Sequence, residues 1–199
     1  MQDSAAPEGP PKPDPSDSPL FRGALVRLSA FEAESDASVF AGWNEDPRYL
    51  RQSYDQPAWP MDAVEARVVL EAWGKGWPWT VGFALRALDD GRLVGFVRLY
   101  DIIWTHGSAL VAISVPDARE QGKGFGRDGL GLLLRYAFHE LGLHRLWLDV
   151  FGYNERAIHL YAGAGFREEG RLREHLQRDG RRWDVVLMGL LRAEWEGQA

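Results

Sequence analysis

The sequence predicts a mixed α/β domain: one sheet that changes from antiparallel to parallel, flanked by helices. Three observations carry this. Apolar stretches separated by turn residues fill 80–115 and read as an antiparallel meander. A glycine-rich loop then enters a long amphipathic helix. A further strand, a helix and a closing hairpin follow, and that alternation calls for a parallel pairing after the meander.

Residues 1–19 hold six of the chain's eleven prolines, mixed with Asp, Ser, Ala and Gly. Such a segment buries too little apolar surface to offset its ordering entropy, so it reads as a disordered tail before a folded domain over 20–195. Ala24–Leu28 alternates as a short strand. Helices are predicted over 33–43 and 62–73, the second with Val64, Arg67, Val68 and Glu71 at helical spacing and Asp62 as cap. Thr80–Leu88 and Arg92–Tyr100 flank Asp89-Asp90-Gly91, a strong hairpin signal. A third strand covers 108–115 and ends at Pro116. The helix after the loop carries Leu130, Leu133, Leu134, Ala137, Phe138 and Leu141 in one stripe. His144–Phe151 reads as a strand and 154–163 as a helix. Phe166–Gln177 and Arg182–Leu191 form the last hairpin around Arg178-Asp179-Gly180.

Composition excludes several classes. The formal charge of −6 argues against a nucleic-acid partner, which calls for a basic surface, and favours a cationic one such as an amine. With no cysteine there is no disulfide framework, Cys nucleophile or thiolate metal site. No apolar run approaches the ~20 residues of a membrane helix, and no signal peptide is recognisable, so the expectation is a cytoplasmic protein with no membrane partner.

The chemistry concentrates in Val115-Pro-Asp-Ala-Arg119-Glu-Gln121-Gly122-Lys123-Gly124-Phe125-Gly126-Arg127. A strand ends, glycines allow close backbone approach, and a helix begins at once. Free N–H groups at the positive helix end make an anion site, and Arg119, Lys123 and Arg127 add charge. A Walker loop fails because Lys123 is followed by Gly124. A dinucleotide fingerprint fits Gly124-Phe-Gly126-Arg-Asp-Gly129 formally, with Asp149 downstream, but eight residues separate Val115 from Gly124 and Gly129 falls inside the helix.

Arg119-Glu-Gln-Gly122-Lys-Gly124 also resembles the acyl-CoA loop of the GNAT superfamily, Arg/Gln-x-x-Gly-x-Gly/Ala. Downstream, Asn154-Glu-Arg-Ala157-Ile158-His-Leu160-Tyr161-Ala-Gly-Ala-Gly165-Phe166 resembles that family's Asn-x-x-Ala-Ile-x-Leu-Tyr-x-x-x-Gly-Phe segment. Together with the last hairpin, these motifs are similar to the subgroup of ribosomal-protein N-terminal acetyltransferases and spermidine acetyltransferases. The resemblance implies the GNAT acyl-CoA N-acyltransferase fold and acetyl transfer from acetyl-CoA to a primary amine, either a small molecule or a protein N-terminus. It implies cofactor contacts at Ile113, Ser114 and Val115 for the pantetheine arm, and at Arg119, Gln121, Gly122, Lys123, Gly124, Phe125, Gly126 and Arg127 for the pyrophosphate. Asn154, Ala157 and Tyr161 complete the set. Tyr161 is implied as general acid to the leaving sulfur, and its ordinary pKa near 10 suits a proton donor. Asn154 also reads as a helix cap.

One position departs from the family. Many relatives carry Glu where this chain has Leu110, so the general base must lie elsewhere, with Asp101, Asp149 and His106 nearest by placement. That departure keeps a second reading open, an acyl-CoA-binding module without turnover. Relatives are often dimers, and the closing hairpin offers a sheet edge for a homodimer. His139-Glu140-Leu-Gly-Leu-His144 is one residue too long for a zinc-protease motif, and Ser114 lacks elbow glycines. Trp73, Trp77, Trp79 and Trp104 read first as core, and alternatively as a pocket wall that could hold a cation.

Overall fold

Alternating apolar residues and well-formed turns decide the centre of the molecule. The computed structural model describes residues 19–197, so the proline-rich tail expected over 1–19 lies almost wholly outside the described residues. The elements, in order, are β1 (Val26–Ser29), α1 (Ala33–Asn44), α2 (Pro47–Ser53), α3 (Ala63–Gly74), β2 (Val81–Ala87), β3 (Leu93–Ile103) and β4 (Ser108–Ser114). Then come α4 (Phe125–Arg135), β5 (Arg145–Phe151), α5 (Glu155–Gly163), β6 (Arg167–Arg178), β7 (Arg181–Leu191) and α6 (Arg192–Glu196). Among the described residues the strands form one seven-stranded sheet in the order β1-β2-β3-β4-β5-β7-β6.

The meander pairs antiparallel as expected, and β4 pairs β5 in parallel. The sheet then returns to antiparallel, because the second strand of the closing hairpin lies beside β5 and leaves β6 at the edge. Side chains alternate across it. Val97 and Leu99 face α4 in the main core, while Phe96 packs with Phe40, Ala66 and Leu70 under α1 and α3. Arg98 and Tyr100 share the face of Phe96, since they are two and four residues on in the same strand.

The stripe predicted for α4 is buried from Leu130 to Phe138. After Arg135 the helix loosens into a π turn over Tyr136–Glu140, where the Leu141 N–H donates to the Tyr136 carbonyl at 3.0 Å. The wider turn rotates Leu141 off the stripe and leaves it half-buried.

Packing decides which residues of a helix or loop are buried. In α3, Val64 and Val68 are 73% and 65% exposed, and the buried residues are Ala66 and Leu70. The spaced set marks the outer face, where Arg67 bridges Glu71 at 3.0 Å and Glu34 at 2.9 Å. The capping role of Asp62 holds: its carboxylate accepts from the Val64 and Glu65 N–H groups, both at 2.8 Å. The tryptophans also divide. Trp73 is packed against Phe40 and Phe96, whereas Trp77 and Trp79 are 62% and 64% exposed. Trp104 makes an edge contact with Trp77, 5.3 Å between centroids, outside the core clusters. Their loops lie beyond the cover of α1 and α3, so aromatic content alone did not bury them.

Candidate active site

The parallel ladder between β4 and β5 is short. Pairing runs Ser108↔Arg145, Ala109↔Leu146 and Leu110↔Trp147, then stops, so Val111–Ser114 and Leu148–Phe151 diverge. A cavity of about 800 Å³ opens at this divergence, within the range of small-molecule sites. It is lined from β4 by Ile113, Ser114 and Val115, from the loop by Gln121, Gly122, Gly124, Phe125, Gly126 and Arg127, and from α5 by Asn154, Ala157 and Tyr161.

The loop is shaped by its glycines. Gly122 and Gly124 take φ of +79° and +94°, the left-handed region that side chains disfavour, and Gly124 is the N-cap of α4. Among the described residues, no backbone N–H from Gly122 to Arg127 has a protein acceptor. These consecutive donors at a helix N-terminus fit a pyrophosphate. Side chains brace the loop. Gln121 donates to the Val115 carbonyl at 2.9 Å and accepts from Arg156 of α5, while Glu120 bridges Arg92 and Lys123, both at 3.1 Å. Those hydrogen bonds, Arg92 first, hold the Glu120 carboxyl below its ordinary pKa.

Arg119 and Lys123 do not line the cavity. Arg119 forks onto Asp117, with its side chain 87% exposed, and Lys123 is taken by Glu120. The cradle is therefore built from backbone donors with Arg127, and the other two charges are locally neutralised.

Asn154 caps α5, accepting from the Ala157 N–H at 3.3 Å. One turn on, Tyr161 is buried, and burial pushes its hydroxyl well above its ordinary pKa, with Tyr100 and Asp149 pushing the same way and the Ile113 backbone opposing. Tyr161 is therefore neutral and able to donate a proton. Of the three candidate bases, only Asp149 lines the cavity. Desolvation raises its carboxyl pKa, although the side chain is open to the cavity, and His175 opposes. Asp101 sits at a bulge of β3 with φ +48°, and His106 in the following turn; both are exposed outside the cavity.

The opposite wall was not read from the sequence. It comprises Tyr49, Gln52, Ser53 and Tyr54 from α2 and its end, with Trp73, Arg98 and Tyr100. A signal for α2 existed in Asp46-Pro47, a cap followed by proline at the first helical position; the Asp46 carboxylate accepts from the Arg48 N–H at 2.9 Å. The closing hairpin holds this wall. Arg178 donates to the carbonyls of Tyr54 and Asp55, both at 2.9 Å, and Asp179 pairs with Arg51 at 2.5 Å.

A splayed parallel pair, an anion-binding loop at a helix start and a buried tyrosine beside the gap together define an acyl-CoA site. The chain matches the acetyltransferase (GNAT) domain over residues 26–167, and it belongs to that family. It is 40% identical over 104 residues to the spermidine N(1)-acetyltransferase of Vibrio cholerae, a match spanning 52% of this chain and 60% of that protein. With the Escherichia coli K12 spermidine N(1)-acetyltransferase it shares 29% identity over 168 residues, 82% of this chain and 80% of the other. The crystal structure of the Vibrio cholerae spermidine N-acetyltransferase in complex with CoA and spermine superposes with a TM-score of 0.76 at 28% identity, covering 86% of this chain and 98% of that one. Among the described residues no helix is long and apolar enough to cross a membrane.

Proposed function

We propose that this chain acetylates a primary amine that enters from the face of α1, α2 and α3, on the side of the sheet opposite the main core. The observation that carries the reading is the divergence of β4 and β5, with Tyr161 and Asp149 lining one cavity at the gap. Acetyl-CoA supplies the activated acetyl thioester. The Gly122–Arg127 donors hold its pyrophosphate, and the unpaired edge at Ile113–Val115 aligns the pantetheine arm, with a backbone N–H there polarising the acetyl oxygen. Asn154 and Ala157 border the same arm.

Asp149 takes a proton from the incoming ammonium so that the amine can attack. Tyr161 donates its proton to the departing sulfur. Asp149 thus fills the role left open by Leu110, which weighs against a binding module without turnover. We also infer cytoplasmic residence, where acetyl-CoA is at hand. The exposed position of β6 supports self-association as a homodimer.

The test is acetyl transfer by the purified chain, read as free CoA released and acceptor mass gained over a panel of amines. Acetyl-CoA alone should raise the melting midpoint by several degrees, since a ligand at ~100 times its dissociation constant adds about 2.7 kcal/mol. Stabilisation by NADH and not by acetyl-CoA would sink the reading.

A further inference from the structure

The acceptor side of the cavity holds a buried guanidinium nitrogen that nothing in the protein satisfies, beside a buried tyrosine hydroxyl that Tyr54, Ser53 and Ser114 approach. The nitrogen is Arg98 Nε and the hydroxyl that of Tyr49, and both residues line the cavity. Among the described residues the Arg98 side chain forms no ion pair or hydrogen bond. Its guanidinium instead lies 4.1 Å from the ring centroid of Trp73 and 5.0 Å from that of Tyr100. Stacking fixes the plane of the fork without using its N–H groups. Burial lowers the Arg98 pKa. A half-buried guanidinium with its Nε left in this way is costly, and what it lacks is an acceptor.

We propose that Arg98, with Tyr49, binds an anionic group on the acceptor, so that the preferred substrates are amines that also carry a carboxylate. The inference rests on the N-acetyltransferase reading and deepens it. A polycation such as a polyamine brings only further N–H donors to this wall and would place positive charge against the guanidinium. A carboxylate accepts from the Arg98 fork, and it is the partner for which an arginine fork is shaped. At the other side of the site, the Asp149 carboxylate stands ready for the ammonium. Tyr100 links the two poles: its hydroxyl, pushed up to about 12 chiefly by burial, feels Asp149 in one direction and Arg98 in the other. The cavity therefore presents a negative group for the amine and a positive one for an acid, as an amino acid requires.

The experiment compares glycine, β-alanine and 4-aminobutyrate with their three carboxamides, and with spermidine, as acceptors at saturating acetyl-CoA. The series brackets the spacing between amine and acid. The expected result is a kcat/KM about 10- to 100-fold higher for at least one carboxylate than for its carboxamide, the range of a charge-assisted hydrogen bond. In Arg98→Gln that preference should vanish, mainly through the KM for the carboxylate, while acetyl-CoA still stabilises the chain. Arg98→Lys, which keeps the charge, should retain part of the preference. Equal or faster transfer to carboxamides or spermidine, unaltered by Arg98→Gln, overturns the inference and leaves the acetyltransferase reading intact. Absence of transfer to every acceptor, with or without acetyl-CoA binding, overturns the activity reading and this inference with it.

Discussion

Leu110 and Trp147 are the last residues paired between β4 and β5, and the cavity begins where their ladder ends. The same two strands are held together at one end and held apart at the other. Below the split, Ala109 and Leu146 are packed into the main core. Above it, Tyr161 and Asp149 border the gap. The position of Leu110 thus has a structural meaning, as the last rung of the ladder before the strands part, even without the carboxylate that many relatives carry there.

Tyr161→Phe tests the proton donor. The ring packs against Phe166, 5.6 Å between centroids, and phenylalanine preserves that contact. The fold and acetyl-CoA affinity should therefore be unchanged. The turnover number should fall by roughly 100-fold or more, the usual contribution of a positioned acid. Single-turnover acetyl transfer checks this, and a rate within twofold of the parent would remove Tyr161 from the chemistry.

Asp149→Asn separates function from stability. A base works ionised, and burial raises this carboxyl, so the acidic limb of kcat/KM should lie above the ordinary carboxylate range. Asparagine should abolish that limb along with most of the rate. Stability should move the other way. With its folded pKa above its unfolded one, Asp149 contributes stability at low pH that is lost as pH rises through the folded value. At neutral pH its charge opposes folding, so Asp149→Asn should melt at a higher temperature than the parent while being less active. A lower melting point combined with lost activity would indicate simple disruption.

The sequence carried the sheet and the cofactor half of the site further than the acceptor half. The two hairpins were legible because Asp-Asp-Gly and Arg-Asp-Gly turns leave few alternatives, and the loop because glycines before a helix start imply exposed N–H donors. Asn154 and Tyr161 came from a motif whose spacing is local. Arg98, Tyr49 and Asp149 share no such spacing: β3, α2 and β5 meet only when the sheet is assembled. Arg98 drew no reading from the sequence, and nothing local said that Trp73 would stack on it. The buried face of α3 was undecided for a related reason: Val64 and Val68 fit a helical stripe, and only the packing of α1 shows that Ala66 and Leu70 are the buried residues. The return to antiparallel pairing at β7 is likewise a choice between two strands of one hairpin that periodicity does not make.

Gly124→Ala and Gly131→Ala should have opposite effects from nearby positions. At Gly124, φ is +94° and an added Cβ would come within 2.8 Å of Leu25 Cδ1. The strain falls on the cap whose N–H groups form the anion cradle, so acetyl-CoA affinity should drop by tenfold or more. At Gly131, inside α4, an added Cβ meets nothing within 4 Å. There alanine should stabilise by ~1 kcal/mol, the difference in helix propensity, with affinity unchanged. Calorimetric titration and urea unfolding read the two outcomes separately.

The last prediction concerns the element that covers the acceptor side. Arg86 on β2 donates through Nη2 to both carboxylate oxygens of Asp36 on α1, at 3.0 and 2.9 Å, and through Nε to Ser29 Oγ at 3.0 Å. The two side chains are 8% and 4% exposed, so this pair is desolvated. Asp36 also accepts from the Glu32 N–H at 2.9 Å, tying the start of α1 to the sheet. Removing one partner strands the other, so Asp36→Ala should cost about 3–5 kcal/mol in urea unfolding. Replacing both with apolar residues, as in Asp36→Leu with Arg86→Met, should recover most of that loss, because the desolvation cost disappears with the charges. If the double variant is as unstable as the single one, the pair is a net source of stability. If it recovers, the ion pair fixes where α1 sits more than how firmly. The acceptor-side kinetics of that recovered variant would then report whether a correctly folded α1 still presents the wall formed by Trp73 and Arg98.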